Sequence, residues 1–206
     1  MARKTKADKE KTYLALIEAA ADLFRSQGFT ATTLNEIAER AGVTRGAFYG
    51  HFSSKSDVIR AIWEEQAMPF FEPIEHVLKN LPQDDPVAAF RQQINNLFEL
   101  FEDDSIVGRA VFIVMHNMEI SDKDKVLVEF LSDKYKLYER VLCSAFKTLD
   151  EAGKLKDSVN PDHAAMGFLY ILIGMINMAL LPFGDFDFQR DGYPVFENYL
   201  NSVLKS

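Results

Sequence analysis

Polar side chains with hydrogen-bond donors are concentrated in the segment TRGAFYGHFSSK. The guanidinium of Arg45 offers the paired donors that match O6 and N7 of guanine, and the methyl group of Thr44 is suited to a thymine methyl. Tyr49, His51 and Lys55 carry donors that could reach phosphate oxygens. Residues of these types contact double-stranded DNA when a helix presents them to the major groove.

Two short helical patterns would position these side chains. The first begins with a capping box, in which Thr33 accepts a hydrogen bond from the amide of Glu36 and Glu36 reaches back. Gly42 suits the left-handed residue that ends a helix, and Thr44 is a candidate N-cap for the second helix. Two short helices joined by a tight glycine turn are typical of a helix-turn-helix, whose second helix enters the major groove.

Two small residues of the second helix, Gly46 and Ala47, would let its backbone lie close to DNA. The same spacing also fits an ordinary helical hairpin in which Arg45 and Lys55 are solvated charges. Geometry alone leaves both interpretations open. On the DNA-binding interpretation, the predicted contact residues are Lys4, Thr33, Thr44, Arg45, Gly46, Ala47, Tyr49, His51 and Lys55.

The run GVTRGAFYGHFSSKSD resembles the signature of the TetR family of bacterial transcriptional repressors, whose core reads G-V-(T/S)-x-G-x-(L/I/F)-Y-x-H-F-x-x-K. The opening MARKTK, the helix that ends at Trp63 and the segments VMHNME and LLPFGDFDF resemble the AcrR-type multidrug-efflux repressors. This resemblance covers most of the chain and is strongest from Leu14 to Trp63. Gly50 departs from the pattern, because relatives often carry an aromatic or polar residue there. The resemblance implies a homodimeric repressor that a small hydrophobic inducer releases from a palindromic operator.

The charge distribution agrees with a DNA-binding head, although the net charge of the chain is -8. Residues 1–60 carry ten Lys and Arg against seven Asp and Glu, a net charge of +3. Residues 61–206 carry thirteen against twenty-four, a net charge of -11. Positive charge is therefore concentrated where phosphate contacts would require it, and the acidic remainder should repel DNA elsewhere.

The first eleven residues form a basic segment that could lie against phosphates or enter a minor groove. A solvated terminus without a fixed structure explains the same composition. The segment lacks the apolar stretch of a signal peptide, and the single cysteine, Cys143, excludes an intramolecular disulfide. Both features favour a cytoplasmic location, and Cys143 fits a small core residue better than a nucleophile.

The apolar periodicity predicts an all-α chain of about nine helices in two domains. Residues 1–53 would form a helix-turn-helix domain with a basic arm, and residues 54–206 a helical ligand-binding and dimerisation domain. A fourth helix is predicted to begin near Ser54 and to run toward Phe70 or as far as Leu81, with a bend at Pro69 or Pro73. A straight helix would span about 24 Å from Lys55 to Phe71 and would couple the two domains mechanically.

Residues 164–183 contain no charge and are long enough to cross a bilayer. The segment is the only one of its kind, it contains Asn177, and acidic residues flank it, so we expect no membrane association. A helix that is apolar on every side is instead expected to be buried, partly against a second subunit. The predicted dimer interface, on the last two helices, comprises Met166, Tyr170, Gly174, Met178, Phe196 and Leu200.

The carboxy-terminal part also carries thirteen of the seventeen Phe, six of the seven Met and the only Trp. An aromatic residue at helical spacing is usually a core residue, but this concentration also suits an adaptable apolar pocket. The aromatic faces and the acidic charge of this part favour cationic over anionic ligands. The predicted pocket residues are Trp63, Phe71, Phe98, Phe101, Met115, His116, Glu119, Phe168, Met175 and Asn177, of which His116, Glu119 and Asn177 are polar.

Motifs for catalysis or metal binding are missing from the sequence. The four histidines are scattered, there is no HExxH or Cys-x-x-Cys motif, and no glycine-rich phosphate loop is present. No cofactor, metal or catalytic residue is therefore predicted. Three alternatives to a repressor remain: a DNA-binding activator or global regulator, a helical ligand-binding protein without DNA function, and a small helical enzyme. The first shares every feature above, the second would make Arg45 dispensable, and the third lacks a catalytic constellation.

Overall fold

The computed structural model describes residues 6–101, 105–116, 125–179, 181 and 185–205, without the side chains of residues 115 and 116. Within these ranges the regular secondary structure is helical apart from an isolated bridge between Leu155 and Leu204, which confirms the all-α prediction. A π-helical turn, Phe188–Gly192, precedes the last helix. The α-helices are α1 (Lys6–Gln27), α2 (Leu34–Arg40), α3 (Arg45–Tyr49), α4 (Lys55–Gln66), α5 (Met68–Lys79), α6 (Pro86–Glu99), α7 (Ile106–His116), α8 (Lys125–Glu151), α9 (Pro161–Ala179) and α10 (Tyr193–Val203).

The segment predicted as one bent fourth helix is divided into α4 and α5, and the division lies next to Pro69, one of the two prolines at which the bend was predicted. Ala67 ends α4 with a φ of -114° and a ψ of -50°, and its amide donates to the carbonyl of Trp63 at 3.0 Å. Pro69 follows as the second residue of α5. A proline lacks the amide that would continue the hydrogen bonds of the preceding helix, so it is favoured at the start of a new one. Lys55 and Phe71 therefore do not lie on one continuous helix.

Two compact units make up the chain. The first contains the described residues of Met1–Met68 and of Arg109–Phe130, and the second those of Pro69–Gly108 and of Leu131–Ser206. In the first unit α1 packs against α2 and α4, and α2 packs against α3. Because α4 belongs to this unit, the predicted domain boundary after residue 53 falls inside it.

A cluster of phenylalanine rings forms the centre of the second unit. The ring centroids of Phe168 and Phe196 are 4.3 Å apart, and those of Phe90 and Phe146 are 5.3 Å apart in an edge-on arrangement. Phe98 lies 4.9 Å from Phe196, and each of these five rings is at most 1% exposed. Edge-on and tilted aromatic pairs add specific attraction to the burial of apolar surface, so this cluster joins α6, α8, α9 and α10.

The inner face of α10 is fixed to α9 by a close approach. The hydroxyl of Tyr199 donates to the carbonyl of Ala164 at 2.6 Å. A Cβ atom on Gly167 would lie 2.7 Å from the same hydroxyl, so a glycine is required where the two helices meet. Phe196 and Leu200 are each 1% exposed within the single chain. Their predicted place in the dimer interface is therefore wrong, because this face of α10 is already used by the core.

Candidate nucleic-acid interface

The start of α2 carries the capping box that the sequence predicts. The Glu36 amide donates to Thr33 Oγ1 at 3.2 Å, and the Thr33 amide donates to Glu36 Oε2 at 2.7 Å. The Thr33 hydroxyl also donates to Glu36 Oε2 at 2.8 Å, and this hydrogen bond is the main reason that the pKa of the Glu36 carboxyl is lowered. Thr33 is exposed, but its hydroxyl already has a partner in the capping box.

The turn between α2 and α3 is fixed by Gly42, whose φ is +67°. The Gly42 amide donates to the carbonyl of Glu39 at 3.0 Å, and the Val43 amide donates to the carbonyl of Ala38 at 2.9 Å. These bonds close a helix end of the Schellman type, in which a glycine takes the left-handed conformation without strain. The glycine turn predicted from the sequence is confirmed, and it sets the direction in which α3 leaves α2.

Helix α3 has one buried side and one exposed side. The Ala47 amide donates to Thr44 Oγ1 at 3.1 Å, so Thr44 is the N-cap. Phe48 is fully buried, and its ring centroid lies 5.8 Å from that of Phe52, which anchors the helix in the first unit. Thr44, Arg45, Gly46 and Tyr49 are exposed, and Ala47 is half-buried. Part of the polar surface predicted for DNA contact therefore lies on one short helix.

Arg45 and Tyr49 form a pair on the exposed side of α3. Arg45 Nη2 donates to the Tyr49 hydroxyl at 3.3 Å, and the guanidinium carbon lies 5.5 Å from the centroid of the Tyr49 ring. The tyrosine thus supports the guanidinium by a hydrogen bond and by cation–π attraction. A supported guanidinium loses less side-chain entropy on binding than a free one. The pair favours direct contact between Arg45 and a base edge.

The ring of His51 lies beside the ring of Tyr13 of α1. Their ring centroids are 6.0 Å apart, and Tyr13 is also stacked on Phe52 at 5.4 Å. The Tyr13 hydroxyl donates to Glu65 Oε1 at 3.3 Å. Burial, followed by the negative charge of Glu65, raises the pKa of Tyr13 to about 12. His51 therefore lies against α1 through Tyr13, and Tyr13 in turn joins α1 to Phe52 and to Glu65 of α4.

Lys55 does not fit the phosphate contact predicted for it. Its Nζ atom donates to the carbonyl oxygens of Phe29 at 2.5 Å, Thr32 at 2.8 Å and Thr30 at 3.3 Å, and it lies 4.5 Å from the centroid of the Phe29 ring. Burial lowers the pKa of Lys55. An ammonium group has three protons, and all are directed at the α1–α2 loop. Lys55 therefore joins the start of α4 to this loop, and the predicted role as a phosphate donor is corrected to a structural one.

The predicted pocket residues differ in their surroundings. Trp63, Phe71 and Met175 are buried, and Phe101 is stacked on Phe188 with ring centroids 4.8 Å apart. Phe98 and Phe168 belong to the phenylalanine cluster, so their lining role remains a prediction. Lys4 and Glu119 lie outside the described residues, as do the side chains of Met115 and His116.

Asn177 was predicted to supply a polar contact inside the pocket, and this prediction is wrong for the single chain. The residue is exposed, and its side-chain amide donates to the carbonyl of Ile173 at 2.7 Å. It lies on the outer side of α9, one turn from Gly174 and next to Met178. A helical period of 3.6 residues places Asn177 on the same side as Tyr170 and Gly174, away from the buried Met175 and Ile176.

The outer side of α9 continues onto α8. Tyr170 is 59% exposed and Met178 is 49% exposed, Gly174 is exposed as well, and Met166 is half-buried. Tyr135 of α8 is 40% exposed, and its hydrogen bond with Tyr170 is the main reason that its pKa is raised. The exposed face formed by these residues thus lies on α8 and α9, whereas the sequence analysis placed the dimer interface on α9 and α10. In the part of the chain that the structure describes, α9 is also the one helix long and apolar enough to cross a membrane by length and composition, and it supplies Phe168 to the core.

The sequence pattern did not single out two buried polar groups of the second unit, Glu75 on α5 and Tyr138 on α8. Glu75 is 7% exposed, and it occupies the same stripe as the buried residues Phe71, Ile74 and Leu78. The spacing of three and four residues in that stripe is a usable signal, because it places a carboxylate on the buried side of an amphipathic helix. Tyr138 carries no comparable signal. No cluster of three or more His, Cys, Asp and Glu suited to a metal ion occurs among the described residues.

The amino-terminal part matches a known family of regulators. A family model described as "Bacterial regulatory proteins, tetR family" matches residues 16–62. The HTH-type transcriptional regulator AcrR of Shigella flexneri is 35% identical over 119 residues, which cover 58% of this chain and 55% of AcrR. The HTH-type transcriptional regulator TtgR of Pseudomonas putida is 27% identical over 184 residues, which cover 88% of this chain and 86% of TtgR.

The whole fold is similar to that of a solved regulator. The structure of SmeT in complex with triclosan matches with a TM-score of 0.84 and 27% identity, covering 95% of this chain and 92% of SmeT. SmeT is the repressor of the Stenotrophomonas maltophilia multidrug efflux pump SmeDEF. The family match includes α2, its glycine turn and the exposed α3, and the relatives are transcriptional regulators and not enzymes. The helix-turn-helix at the amino-terminal end, residues 16–62, thus matches the TetR family of bacterial transcriptional regulators, and the whole chain is similar in fold to the repressor SmeT.

Proposed function

We propose that the protein is a homodimeric, ligand-responsive transcriptional repressor that acts in the cytoplasm and controls a multidrug efflux system. The observation that carries this proposal is the helix-turn-helix, in which a glycine turn presents the supported guanidinium of Arg45 on an exposed α3. The similarity to SmeT, the repressor of an efflux pump, supports the choice of efflux genes.

A two-fold dimer is the assembly expected for this function. Two copies of α3, related by a two-fold axis, would read the two halves of a palindromic operator. The exposed face formed by Tyr135, Tyr170, Gly174 and Met178 on α8 and α9 supports an isologous interface, because a soluble protein rarely leaves such an apolar face uncovered. Each subunit would contribute the same two helices, which would form a four-helix arrangement in the dimer.

The second unit is proposed to bind a small hydrophobic inducer. Its aromatic interior supports this assignment, and the binding of triclosan by SmeT shows that a protein of similar fold accepts an apolar aromatic compound. An inducer releases DNA only if it binds the state unable to span two operator half-sites more tightly than the DNA-binding state. The break between α4 and α5 at Ala67 provides a joint where the two states could differ.

Protection mapping of DNA is the experiment that tests this proposal. The purified dimer is incubated with DNA from upstream of its own gene and of neighbouring genes, with and without a hydrophobic compound. We expect one protected region with two-fold sequence symmetry, and loss of that protection when the compound is added. A protected region without two-fold symmetry would contradict the recognition of a palindromic operator by a dimer. The absence of any protected site would contradict the repressor function.

A further inference from the structure

The interior of the second unit contains two polar atoms without hydrogen-bond partners among the described residues. These are Oε1 of Glu75 and the hydroxyl oxygen of Tyr138, and each is shielded from solvent. The other carboxylate oxygen, Glu75 Oε2, accepts a hydrogen bond from Lys79 Nζ at 3.2 Å. The side chain of Lys79 is 43% exposed, so its ammonium group pairs with the carboxylate from the solvent side. The inner oxygen, Oε1, has no donor among the described residues.

Buried polar atoms in folded proteins are almost always paired, because desolvation without a compensating hydrogen bond costs stability. Two such atoms on neighbouring side chains form a specific exception. Burial, followed by the negative charge of Glu75, raises the pKa of Tyr138. The phenol therefore stays protonated near neutral pH and can both donate and accept a hydrogen bond. The pair offers one strong acceptor and one versatile hydroxyl to a group that the described residues do not provide.

Aromatic and aliphatic side chains lie around this pair. The ring centroid of Phe71 is 6.1 Å from that of Tyr138, and Phe71, Ile74 and Leu78 share the buried stripe of α5 with Glu75. Aromatic faces attract cations, and the attraction increases where water is excluded. A ligand that satisfies these surroundings needs an apolar body and a hydrogen-bonding group that carries positive charge.

We propose that Glu75 and Tyr138 form the polar end of the inducer site and bind the protonated amine of an apolar aromatic ligand. This inference rests on the proposed function, because it names the anchor and the chemical class of the inducer. Glu75 Oε1 accepts from the ammonium group, and the Tyr138 hydroxyl accepts from a second proton of the same group. An anionic ligand of the same shape is disfavoured, since its charge would face the carboxylate of Glu75. The cation preference predicted from composition is thereby assigned to two particular residues.

Three compounds with one ring system separate the contributions of charge and shape. Calorimetric titration of the full-length dimer is performed with 1-naphthylmethylamine, 1-naphthylmethanol and 1-naphthoate at pH 7. We expect the wild-type protein to bind the amine at least tenfold more tightly than the alcohol, and the carboxylate most weakly. A carboxylate that binds as tightly as the amine would overturn the proposal, and so would failure of all three to bind.

Substitutions at the two residues identify the anchor. Glu75→Gln keeps the shape of the side chain but removes its charge, so binding of the amine should weaken about tenfold and binding of the alcohol less than threefold. Glu72→Gln is the matched control, since Glu72 is exposed on the same helix and should leave both affinities unchanged. Equal affinities of the wild type and Glu75→Gln for the amine would overturn the assignment.

Tyr138→Phe gives a second test that does not depend on the folding of Glu75→Gln. The hydroxyl has no partner among the described residues of the unliganded chain, so its removal should raise the temperature of thermal unfolding. The same variant should bind the amine severalfold more weakly. A lower unfolding temperature with unchanged affinity would show that the hydroxyl only stabilises the fold, and would overturn its role in binding.

Operator binding distinguishes a failure of this inference from a failure of the proposed function. Both variants should bind operator DNA like the wild type when no ligand is present, because neither residue lies in the helix-turn-helix. If the wild type binds the operator and the amine releases it, but Glu75→Gln is released at the same amine concentration, only the anchor is wrong. If the wild type protects no operator, the repressor function itself is wrong.

Discussion

Replacing Arg45 with alanine is expected to weaken binding to the operator by about 1 to 3 kcal/mol and to relax the choice of base at one position in each half-site. The expected loss corresponds to roughly a 5- to 150-fold increase in Kd. The guanidinium is the one group on α3 with paired donors that match a guanine edge, and Tyr49 holds it in place. Fluorescence anisotropy with the protected operator, with single-base variants of it and with random duplex measures both effects.

Two further variants distinguish the contact of Arg45 with a base from contributions that only position Arg45 or stabilise the fold. Tyr49→Phe removes the hydroxyl that accepts from Arg45 Nη2 but keeps the ring, so it should cause a smaller loss of the same kind. Lys55→Met should instead lower the free energy of unfolding by about 1 to 3 kcal/mol, because the carbonyls of the α1–α2 loop lose their shared donor. If Arg45→Ala weakened operator and random duplex equally, Arg45 would be a phosphate contact and not a base reader.

Gly174→Asp is expected to convert the proposed dimer into folded monomers and thereby abolish operator binding at micromolar concentration. A carboxylate placed in an apolar interface costs several kcal/mol unless it is paired, which exceeds what a modest interface can absorb. Within one subunit the substitution is harmless, because Gly174 is exposed and a Cβ atom there has no heavy atom within 4 Å. Sedimentation equilibrium gives the mass, and circular dichroism reports whether the monomer stays helical.

Two matched changes make this prediction specific to the face of α8 and α9. Gln92→Asp adds the same charge at an exposed position of α6 and should leave the dimer intact. Leu200→Asp should unfold the second unit and not merely separate the subunits, because Leu200 is 1% exposed in the single chain. A Gly174→Asp protein that sediments as a dimer would place the interface elsewhere.

Local sequence signals predicted the DNA-binding end of the molecule correctly. The capping box at Thr33 and Glu36, the left-handed Gly42 and the N-cap Thr44 depend on residues close together in the chain, so their chemistry can be read directly from the sequence. The burial of Phe48 follows equally from helical spacing. These features are local, and tertiary packing did not override them.

Contacts between distant residues could not be predicted in the same way. The partners of Lys55 lie 23 to 26 residues earlier, and nothing in the segment around Lys55 indicates that its ammonium faces a loop and not solvent. The sequence shows that α9 and α10 are apolar, but the pattern does not indicate which side of each helix is buried in the core. Tyr199 and Gly167 settle this by holding α10 against α9. The burial of Glu75 can be predicted from its position in an apolar stripe of α5. The burial of the Tyr138 hydroxyl can be identified only from the structure.

Transcription in vitro is the measurement that tests the repressor function most directly. Purified RNA polymerase transcribes from the promoter that overlaps the protected site, and the amount of transcript is measured as the dimer is added. The repressor function predicts that transcript falls as the site becomes occupied and that a hydrophobic compound which binds the dimer restores it. Transcript that rises with occupancy would identify an activator, and transcript that stays low when the compound saturates the dimer would contradict a ligand-responsive repressor.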